Sequence, residues 1–124
     1  MAETIYTKNA PDAIGPYSQA KVVGNLVFTS GQIAINPATG AVEADTIEGQ
    51  TKQVCENLKA LLEAAGTSID KAVKTVCFLK NMSDFGVFNG IYGEYFTSKP
   101  ARSCVAAKEL PKDVLVEVEV IAEK

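Results

Sequence analysis

A strand pattern near the C-terminus places the strongest constraint on the fold. Residues 114–122 alternate between two series: Val114, Val116, Val118, Val120 and Ala122 in the first, and Leu115, Glu117, Glu119 and Ile121 in the second. Successive side chains of a β-strand point to opposite faces of its sheet, so this alternation predicts a strand with one fully apolar face. The chain must therefore build a sheet that is covered on the valine face and carries two carboxylates on the other.

Shorter strands and a first helix are predicted before this segment. Strand-forming runs occupy residues 20–23, 26–33, 73–80 and 103–107, and turn residues stand at 24–25, 36–40 and 110–113. A helix is predicted to begin at Asp45 or Thr46, because Asp45 and Glu48 resemble a capping box. Apolar residues then recur at steps of four and three up to Ala65, and Gly66 is the expected stop.

A second helix is predicted after the strand at 73–80, with Ser83 as its cap. Its aromatic residues fall on one arc: Phe85, Phe88, Tyr92, Tyr95 and Phe96. Gly86, Gly90 and Gly93 lie opposite this arc, and each glycine weakens a helix by about 1 kcal/mol relative to alanine. Two interpretations remain open, since the glycines either form a tolerated solvent face or let another chain's backbone approach closely.

The order of these elements, β-β-α-β-α-β-β, indicates one α+β domain over residues 1–124. We expect a mixed six-stranded sheet with both helices on its valine face. The opposite face would then expose Leu115 and Ile121 beside two carboxylates, and such a face usually needs a partner. A homo-oligomer with Glu117 near the interface is therefore predicted; the alternative is that Glu117 and Glu119 simply face water.

The composition removes several classes of function. The 124 residues include no histidine, which excludes Ser-His and Cys-His nucleophile pairs and most zinc sites. A net charge of −3 without a basic cluster favours a small ligand over a nucleic-acid partner. The three cysteines Cys55, Cys77 and Cys104 lack a CxxC spacing, so neither a disulfide framework nor a zinc knuckle is predicted.

A cytoplasmic location is the expectation. The first five residues have neither the basic nor the apolar region of a signal peptide, and no apolar run approaches the ~20 residues of a membrane span. Arg102 stands out on such a chain because the other eleven basic residues are lysines. Only arginine grips a carboxylate through two parallel hydrogen bonds from one planar group.

Four short segments carry the residues with the most useful chemistry. They are Gly15-Pro16-Tyr17-Ser18-Gln19, Thr29-Ser30-Gly31-Gln32-Ile33, Pro100-Ala101-Arg102-Ser103-Cys104-Val105 and Val116-Glu117-Val118. Taken singly, these residues have plain structural interpretations: a packing tyrosine in the first segment, a bulge in the second, a surface ion pair and a small buried thiol in the third, and a carboxylate facing water in the fourth. Taken together, the third and fourth segments resemble the two-part signature of the Rid family, also called the YjgF family, of reactive imine deaminases.

The resemblance runs from Gly15 to Ala122, and one mild departure is Val118, where the family often has isoleucine or methionine. It implies a chorismate-mutase-like α+β fold and a homotrimer with three clefts between subunits. It further implies hydrolysis of 2-imino acids, chiefly 2-iminopropanoate and 2-iminobutanoate, to 2-keto acids and ammonia. Pyridoxal-phosphate enzymes such as threonine dehydratase release these imines. The resemblance implies no cofactor and no metal.

The resemblance also assigns the site residues. Tyr17, Arg102 and Glu117 are the expected catalytic residues, and Ser30, Gly31, Asn89 and Cys104 are expected to bind substrate. Arg102 would clamp the carboxylate, Glu117 would handle water or a proton, and Tyr17 would bond the imine nitrogen or shape the pocket. We expect Cys104 to act mainly through its main chain.

Two other functions compete with deamination. Relatives have been described as endoribonucleases or translation inhibitors, although an acidic chain with one arginine and no histidine disfavours RNA. A non-catalytic module that binds keto acids or acts as a chaperone would still use Arg102 but would not require Glu117.

Overall fold

A six-stranded sheet organises the chain. The computed structural model describes residues 2–124, with strands β1 (Glu3–Ile5), β2 (Ala20–Val23), β3 (Leu26–Thr29), β4 (Ile35–Asn36), β5 (Ala41–Val42), β6 (Ala72–Leu79), β7 (Ala101–Ala106) and β8 (Val116–Glu123). The helices are α1 (Ile47–Ala64) and α2 (Phe85–Tyr95). The sheet order is β1-β2-β3-β8-β6-β7, and β4 pairs with β5 in a separate hairpin. The pair β6–β7 is parallel and the others are antiparallel, so the predicted mixed sheet is confirmed.

Both helices cover the valine face of the sheet, as predicted. The core joins the buried stripe of α1, the aromatic arc of α2 and the apolar series of β8; its fully or almost fully buried members include Val54, Leu58, Leu61, Leu62, Phe88, Phe96, Val116, Val118 and Val120. Burying each such side chain contributes roughly 1.5–3 kcal/mol. Within residues 2–124, neither helix is both long and apolar enough to cross a membrane.

The beginning of α1 differs from the predicted capping box. Thr46 is the cap, and its side-chain oxygen accepts a hydrogen bond from the Gly49 amide at 3.1 Å. A capping box at Thr46 would need a side chain at Gly49 to bond the Thr46 amide, and glycine has none. Asp45 and Glu48 therefore form no box. Gly66 ends the helix as predicted, with a positive φ of 87°.

The beginning of α2 also corrects the prediction, because Ser83 does not cap it. Residues Met82–Asp84 form a 3₁₀ turn, and Asp84 occupies the cap position without a side-chain hydrogen bond. The turn's own backbone bonds, such as Phe85 N–H to the Met82 carbonyl, satisfy amides that a cap would otherwise serve.

The glycines of α2 lie on an exposed face. Gly86, Gly90 and Gly93 are exposed, and a Cβ atom added at any of them would meet nothing within 4 Å. This agrees with a tolerated solvent face in the single chain. Close approach by another chain stays an untested prediction.

The second face of the sheet carries apolar side chains that neither helix covers. Its exposed or half-buried members include Phe28, Val76, Phe78, Val105 and Ile121. Glu117 and Glu119 stand among them on β8, both half-buried. We call this surface the open face. Leu115, predicted to lie on this face, instead packs against the core. A partner for this face stays a prediction. Glu117, one of the predicted catalytic residues, lies on it.

Candidate active site

One cavity brings together four of the predicted site residues. It has a volume of about 550 Å³, and Tyr17, Ser30, Gly31 and Glu117 line it. Apolar residues form much of the remaining wall, among them Ile14 and Ile33. Asp12 is a second carboxylate in the lining. We call this cavity the Glu117 cavity, and its mixture of a few polar groups with apolar walls is typical of a small-molecule site.

A break in sheet pairing exposes the backbone at Ser30 and Gly31. The predicted strand at 26–33 ends at Thr29, and pairing with β8 resumes at Gln32, which bridges Val118. The Thr29 hydroxyl accepts a hydrogen bond from the Val120 amide at 2.9 Å. A side chain thus replaces a backbone hydrogen bond of the sheet beside the break. The Ser30 hydroxyl donates to the Ser18 carbonyl at 2.6 Å, which ties this segment to the loop of Tyr17.

Gly31 leaves the space that the Glu117 side chain occupies. A Cβ atom at position 31 would lie 2.0 Å from Glu117 Oε2 and 2.9 Å from its carboxyl carbon. Real Cβ atoms do not come this close to an oxygen, so only glycine permits the observed position of the carboxylate. The absent side chain at residue 31 therefore helps to place Glu117.

The environment of Glu117 favours its protonated form. Burial raises the pKa of the Glu117 carboxyl, and the neighbouring Glu119 carboxylate raises it further. A carboxyl group whose pKa is raised toward physiological pH is a better general acid–base group at that pH. The pKa shift and the position in a cavity both agree with the predicted role in proton transfer.

Arg102 lies on the edge strand β7, away from the Glu117 cavity. Its Nη1 donates to Asn89 Oδ1 at 2.7 Å. Its guanidinium carbon lies 4.9 Å from the ring centroid of Tyr92 and 5.4 Å from that of Phe85. Asn89 and Cys104, both predicted to bind substrate, belong to this second group, because Cys104 follows Arg102 on the same face of β7.

No carboxylate of residues 2–124 pairs with Arg102. The ion pair found in this part of the chain joins Lys80 to Asp113, at 3.0 Å. The interpretation of Arg102 as a surface ion pair is therefore wrong for the described residues. A half-buried guanidinium with a neutral amide and two aromatic rings around it retains N–H groups for an external carboxylate.

Arg102 and Glu117 project from opposite faces of the sheet. In the register of the strands, Arg102 stands beside Thr75, and Thr75 stands beside Val120 on the helix-covered face. Glu117 stands beside Phe78, which is on the open face. Since the sheet itself separates the two groups, one chain does not bring its own Arg102 and Glu117 into one cavity.

The Cys104 thiol is poorly suited to be a nucleophile. Partial burial raises its pKa, and the nearby Arg102 charge only partly opposes this effect. Cys77, the neighbour of Cys104 on β6, is fully buried and has a pKa raised to about 12 by burial. Thiolate is the reactive form, so these values agree with a main-chain role for Cys104.

Several residues of the site were not identified from the sequence. The aromatic spacing of α2 predicts one apolar arc, whereas Phe85 and Tyr92 on this arc also contact the Arg102 guanidinium. Phe85, Asn89 and Tyr92 are spaced by four and three residues and so share one helix face, a signal that could have grouped them. Lys112, at the rim of the Glu117 cavity, was placed only in a turn.

The described residues contain no group of three or more histidine, cysteine, aspartate or glutamate side chains arranged to hold a metal ion. The predicted absence of a metal and of a cofactor stays a prediction.

The Gly31 contact gives a first prediction. Gly31→Ala is expected to displace the Glu117 carboxylate and to reduce any reaction that depends on it by at least about tenfold, with little change in fold. Gly90→Ala is the matched control, because a Cβ there meets nothing within 4 Å and alanine favours the helix by up to about 1 kcal/mol. Turnover and urea denaturation of both variants check this; equal turnover in the two would contradict the role of Gly31.

Comparison with known proteins identifies the class of this chain. The sequence model of the family described as Endoribonuclease L-PSP matches residues 7–124. The 2-iminobutanoate/2-iminopropanoate deaminase of Escherichia coli is 49% identical over 126 residues, covering 98% of each chain. A RutC family protein of Pyrococcus horikoshii is 54% identical and covers 100% of this chain and 99% of its own.

Solved structures agree with the sequence comparison. The crystal structure of Escherichia coli TdcF with bound serine superposes with a TM-score of 0.93 at 42% identity, covering 98% of both chains. The fold and the sequence thus define a small α+β protein of the L-PSP type. The chain belongs to the Rid, or YjgF, family, as its motifs predict. The relatives carry different names, so the family does not by itself fix the reaction.

Proposed function

We propose that this chain hydrolyses 2-imino acids to 2-keto acids and ammonia, in clefts formed between the subunits of a homotrimer. The observation that carries the proposal is the pair of complementary groups: an arginine fork without a carboxylate partner, and a carboxylate with a raised pKa in a cavity. The 49% identical Escherichia coli deaminase supports the reaction, and the serine bound to TdcF supports a ligand of amino-acid type.

A trimer would bring the Arg102 of one subunit to the Glu117 cavity of another. Arg102 lies on the edge strand, where a neighbouring chain has access, and Glu117 lies on the open face, which has uncovered apolar side chains. Covering the open face with a neighbour's edge would bury that surface and place one subunit's Arg102 opposite another's Glu117 cavity. Cyclic symmetry would then repeat the cleft at each interface.

The reaction follows from these two groups. Arg102 binds the substrate carboxylate through its planar fork, and Asn89 keeps that fork in place. The substrate reacts as the iminium ion, already protonated at nitrogen. Glu117 accepts a proton from a water molecule as the water oxygen bonds to the imine carbon, and the C=N electron pair moves onto nitrogen to give a neutral carbinolamine. Glu117 then returns that proton to the nitrogen and takes the hydroxyl proton as the C=O bond forms and the C–N bond breaks, its electron pair leaving with ammonia. Transfer of the last proton from Glu117 to ammonia leaves a 2-keto acid and an ammonium ion.

Tyr17 completes the proposed site. Its side chain is about half exposed at the cavity wall, and the Ser30–Ser18 hydrogen bond holds its loop near Gly31. In the cleft its hydroxyl would bond the imine nitrogen. Because iminium ions already hydrolyse readily in water, positioning by these few groups is sufficient catalysis.

The test couples this protein to a source of imine. Threonine dehydratase converts threonine in the presence or absence of the protein, and imine decay is followed directly. Faster decay with the wild type, and no acceleration with Arg102→Ala, is the expected result; decay that the protein does not accelerate would overturn the proposal. Light scattering at micromolar concentration should give about three times the 13.2 kDa chain mass, and a monomer would overturn the shared cleft.

Endoribonuclease activity is the second candidate, because the matching family carries that description. The net charge of −3 and the single arginine provide little attraction for a phosphate backbone. An RNA-cleavage assay separates the two functions: cleavage that disappears in Arg102→Ala, without imine hydrolysis, would favour the nuclease.

A further inference from the structure

We propose that Tyr92 is a positioning residue for Arg102: its ring, fixed by Thr75 and assisted by Phe85, sets the plane of the guanidinium that binds the substrate carboxylate. This inference rests on the proposed function for the identity of the ligand. The contacts that support it lie entirely within one chain. They concern a residue whose sequence position predicts only a place on the aromatic arc of α2.

Two contacts hold the Tyr92 ring, one at its hydroxyl and one on its face. Its hydroxyl lies 2.7 Å from Thr75 Oγ1 in a buried hydrogen bond, and Thr75 is fully buried on β6. Its ring stacks on Phe96 with centroids 4.4 Å apart and an interplanar angle of 23°. The bond to Thr75 fixes the long axis of the ring and the stack on Phe96 fixes its plane, so the ring presents a fixed face to its neighbours.

Arg102 is the neighbour that uses this face. Its guanidinium carbon is 4.9 Å from the Tyr92 centroid, and Thr75, which fixes the ring, is also the residue beside Arg102 in the β6–β7 register. Phe85 contributes a second ring at 5.4 Å, and Asn89 accepts one N–H. Aromatic faces attract a cation without occupying its N–H groups, so the fork stays available for a carboxylate.

This arrangement also explains why residue 102 is an arginine among eleven lysines. A guanidinium is planar, so it can stack on a ring and extend two parallel N–H groups beyond it. A lysine ammonium would retain the charge but would have no plane for the rings to orient. The rings therefore fix the direction in which the guanidinium presents its N–H groups.

The test compares three variants for pyruvate binding by calorimetry. Tyr92→Leu removes the ring and is expected to weaken binding at least about fivefold, the effect of losing a partly desolvated cation–ring contact. Tyr92→Phe keeps the ring and its stack on Phe96 but loses the bond to Thr75, so its affinity is expected to fall between those of the wild type and Tyr92→Leu. Phe88→Leu is the matched structural control, because Phe88 is a fully buried ring of the same helix, 5.4 Å from the Tyr92 ring.

A positioning role predicts a specific kinetic pattern. In the imine assay Tyr92→Leu should raise KM more than it lowers kcat, whereas Phe88→Leu should lower stability without changing KM. Equal weakening of pyruvate binding by Tyr92→Leu and Phe88→Leu would overturn the inference, as would wild-type affinity in Tyr92→Leu.

A further measurement separates this inference from the proposed function. Phenylglyoxal modifies arginine, and Arg102 is the only arginine of the chain, so the labelling rate reports on this one guanidinium. Tyr92→Leu should be labelled several-fold faster than both the wild type and Phe88→Leu. If the wild type neither binds pyruvate nor hydrolyses imines, the proposed function fails while unequal labelling still supports the positioning role. Equal labelling of all three proteins would overturn it.

Discussion

Replacing Arg102 with alanine is expected to abolish imine hydrolysis, and replacing it with lysine is expected to restore little of the activity. Each hydrogen bond to a charged group contributes roughly 1.5–3 kcal/mol, so loss of the two-pronged contact should lower kcat/KM by about two or more orders of magnitude. Lysine retains the charge but has neither the planar fork nor the stack on Tyr92.

The coupled imine assay at low substrate concentration measures this effect. Lys99→Ala is a suitable control, because Lys99 is an exposed cation near Arg102 in the same surface depression. It should retain nearly full activity. Full activity in Arg102→Lys would show that charge alone suffices and that the clamp is wrongly assigned.

The second large effect is expected from Glu117→Gln, which should lose hydrolysis while retaining keto-acid binding. Glutamine is nearly isosteric and fits the same space over Gly31, but an amide is a far weaker base than a carboxylate. Arg102 should still bind pyruvate, and removal of a nearby negative charge should not weaken that contact. Loss of turnover by about two orders of magnitude is expected.

Calorimetry with pyruvate, beside the imine assay on the same variant, separates catalysis from binding. Unchanged turnover in Glu117→Gln would leave Glu117 a structural residue and favour the non-catalytic binding module. Loss of both binding and assembly would place Glu117 in the interface, as a contact rather than a base.

The raised pKa of Glu117 predicts how the activity depends on pH. Turnover requires the carboxylate form, so activity should decline on the acid side at a pH above the ordinary range for glutamate. Glu119→Gln removes one of the causes of the raised pKa, so it should move this decline to lower pH. A pH–kcat/KM profile of both proteins checks the direction, and a shift to higher pH would contradict it.

Much of the fold was predictable because local patterns determine it. The alternation along β8 and the stripe of α1 each identify a buried face through their period, and the structure buries those residues. The helix beginnings were less predictable. At α1, Thr46 rather than Asp45 is the cap, and at α2 a 3₁₀ turn replaces the cap at Ser83; a shift of one or two residues decides each case.

The division of the site between two faces could not be predicted from local patterns. Whether Arg102 shares a face with Glu117 depends on the register of β7 against β6, and a shift of one residue would move Arg102 to the open face. That register is set by pairing between strands distant in sequence. The family resemblance predicts which residues form the site. The register of the sheet, which only the structure shows, places them on opposite faces within one chain.

The break at Ser30 and Gly31 is a second feature that required the structure. The sequence favours one strand through residue 33, whereas the ladder is interrupted so that Glu117 occupies the space over Gly31. The sequence indicates close backbone approach at this glycine, but spacing does not predict its contact with Glu117, a residue far along the chain. Likewise, the aromatic arc indicated burial of Tyr92 without its contact to Arg102.

The most direct test of a cleft shared between subunits mixes two inactive variants. Arg102→Ala subunits keep the Glu117 cavity, and Glu117→Gln subunits keep the arginine clamp. The two proteins are unfolded together, refolded as a mixture and assayed for imine hydrolysis, beside each variant refolded alone. If each cleft takes Arg102 from one subunit and Glu117 from the next, random assembly restores about a quarter of wild-type activity. A mixture no more active than the separate variants would contradict the shared cleft.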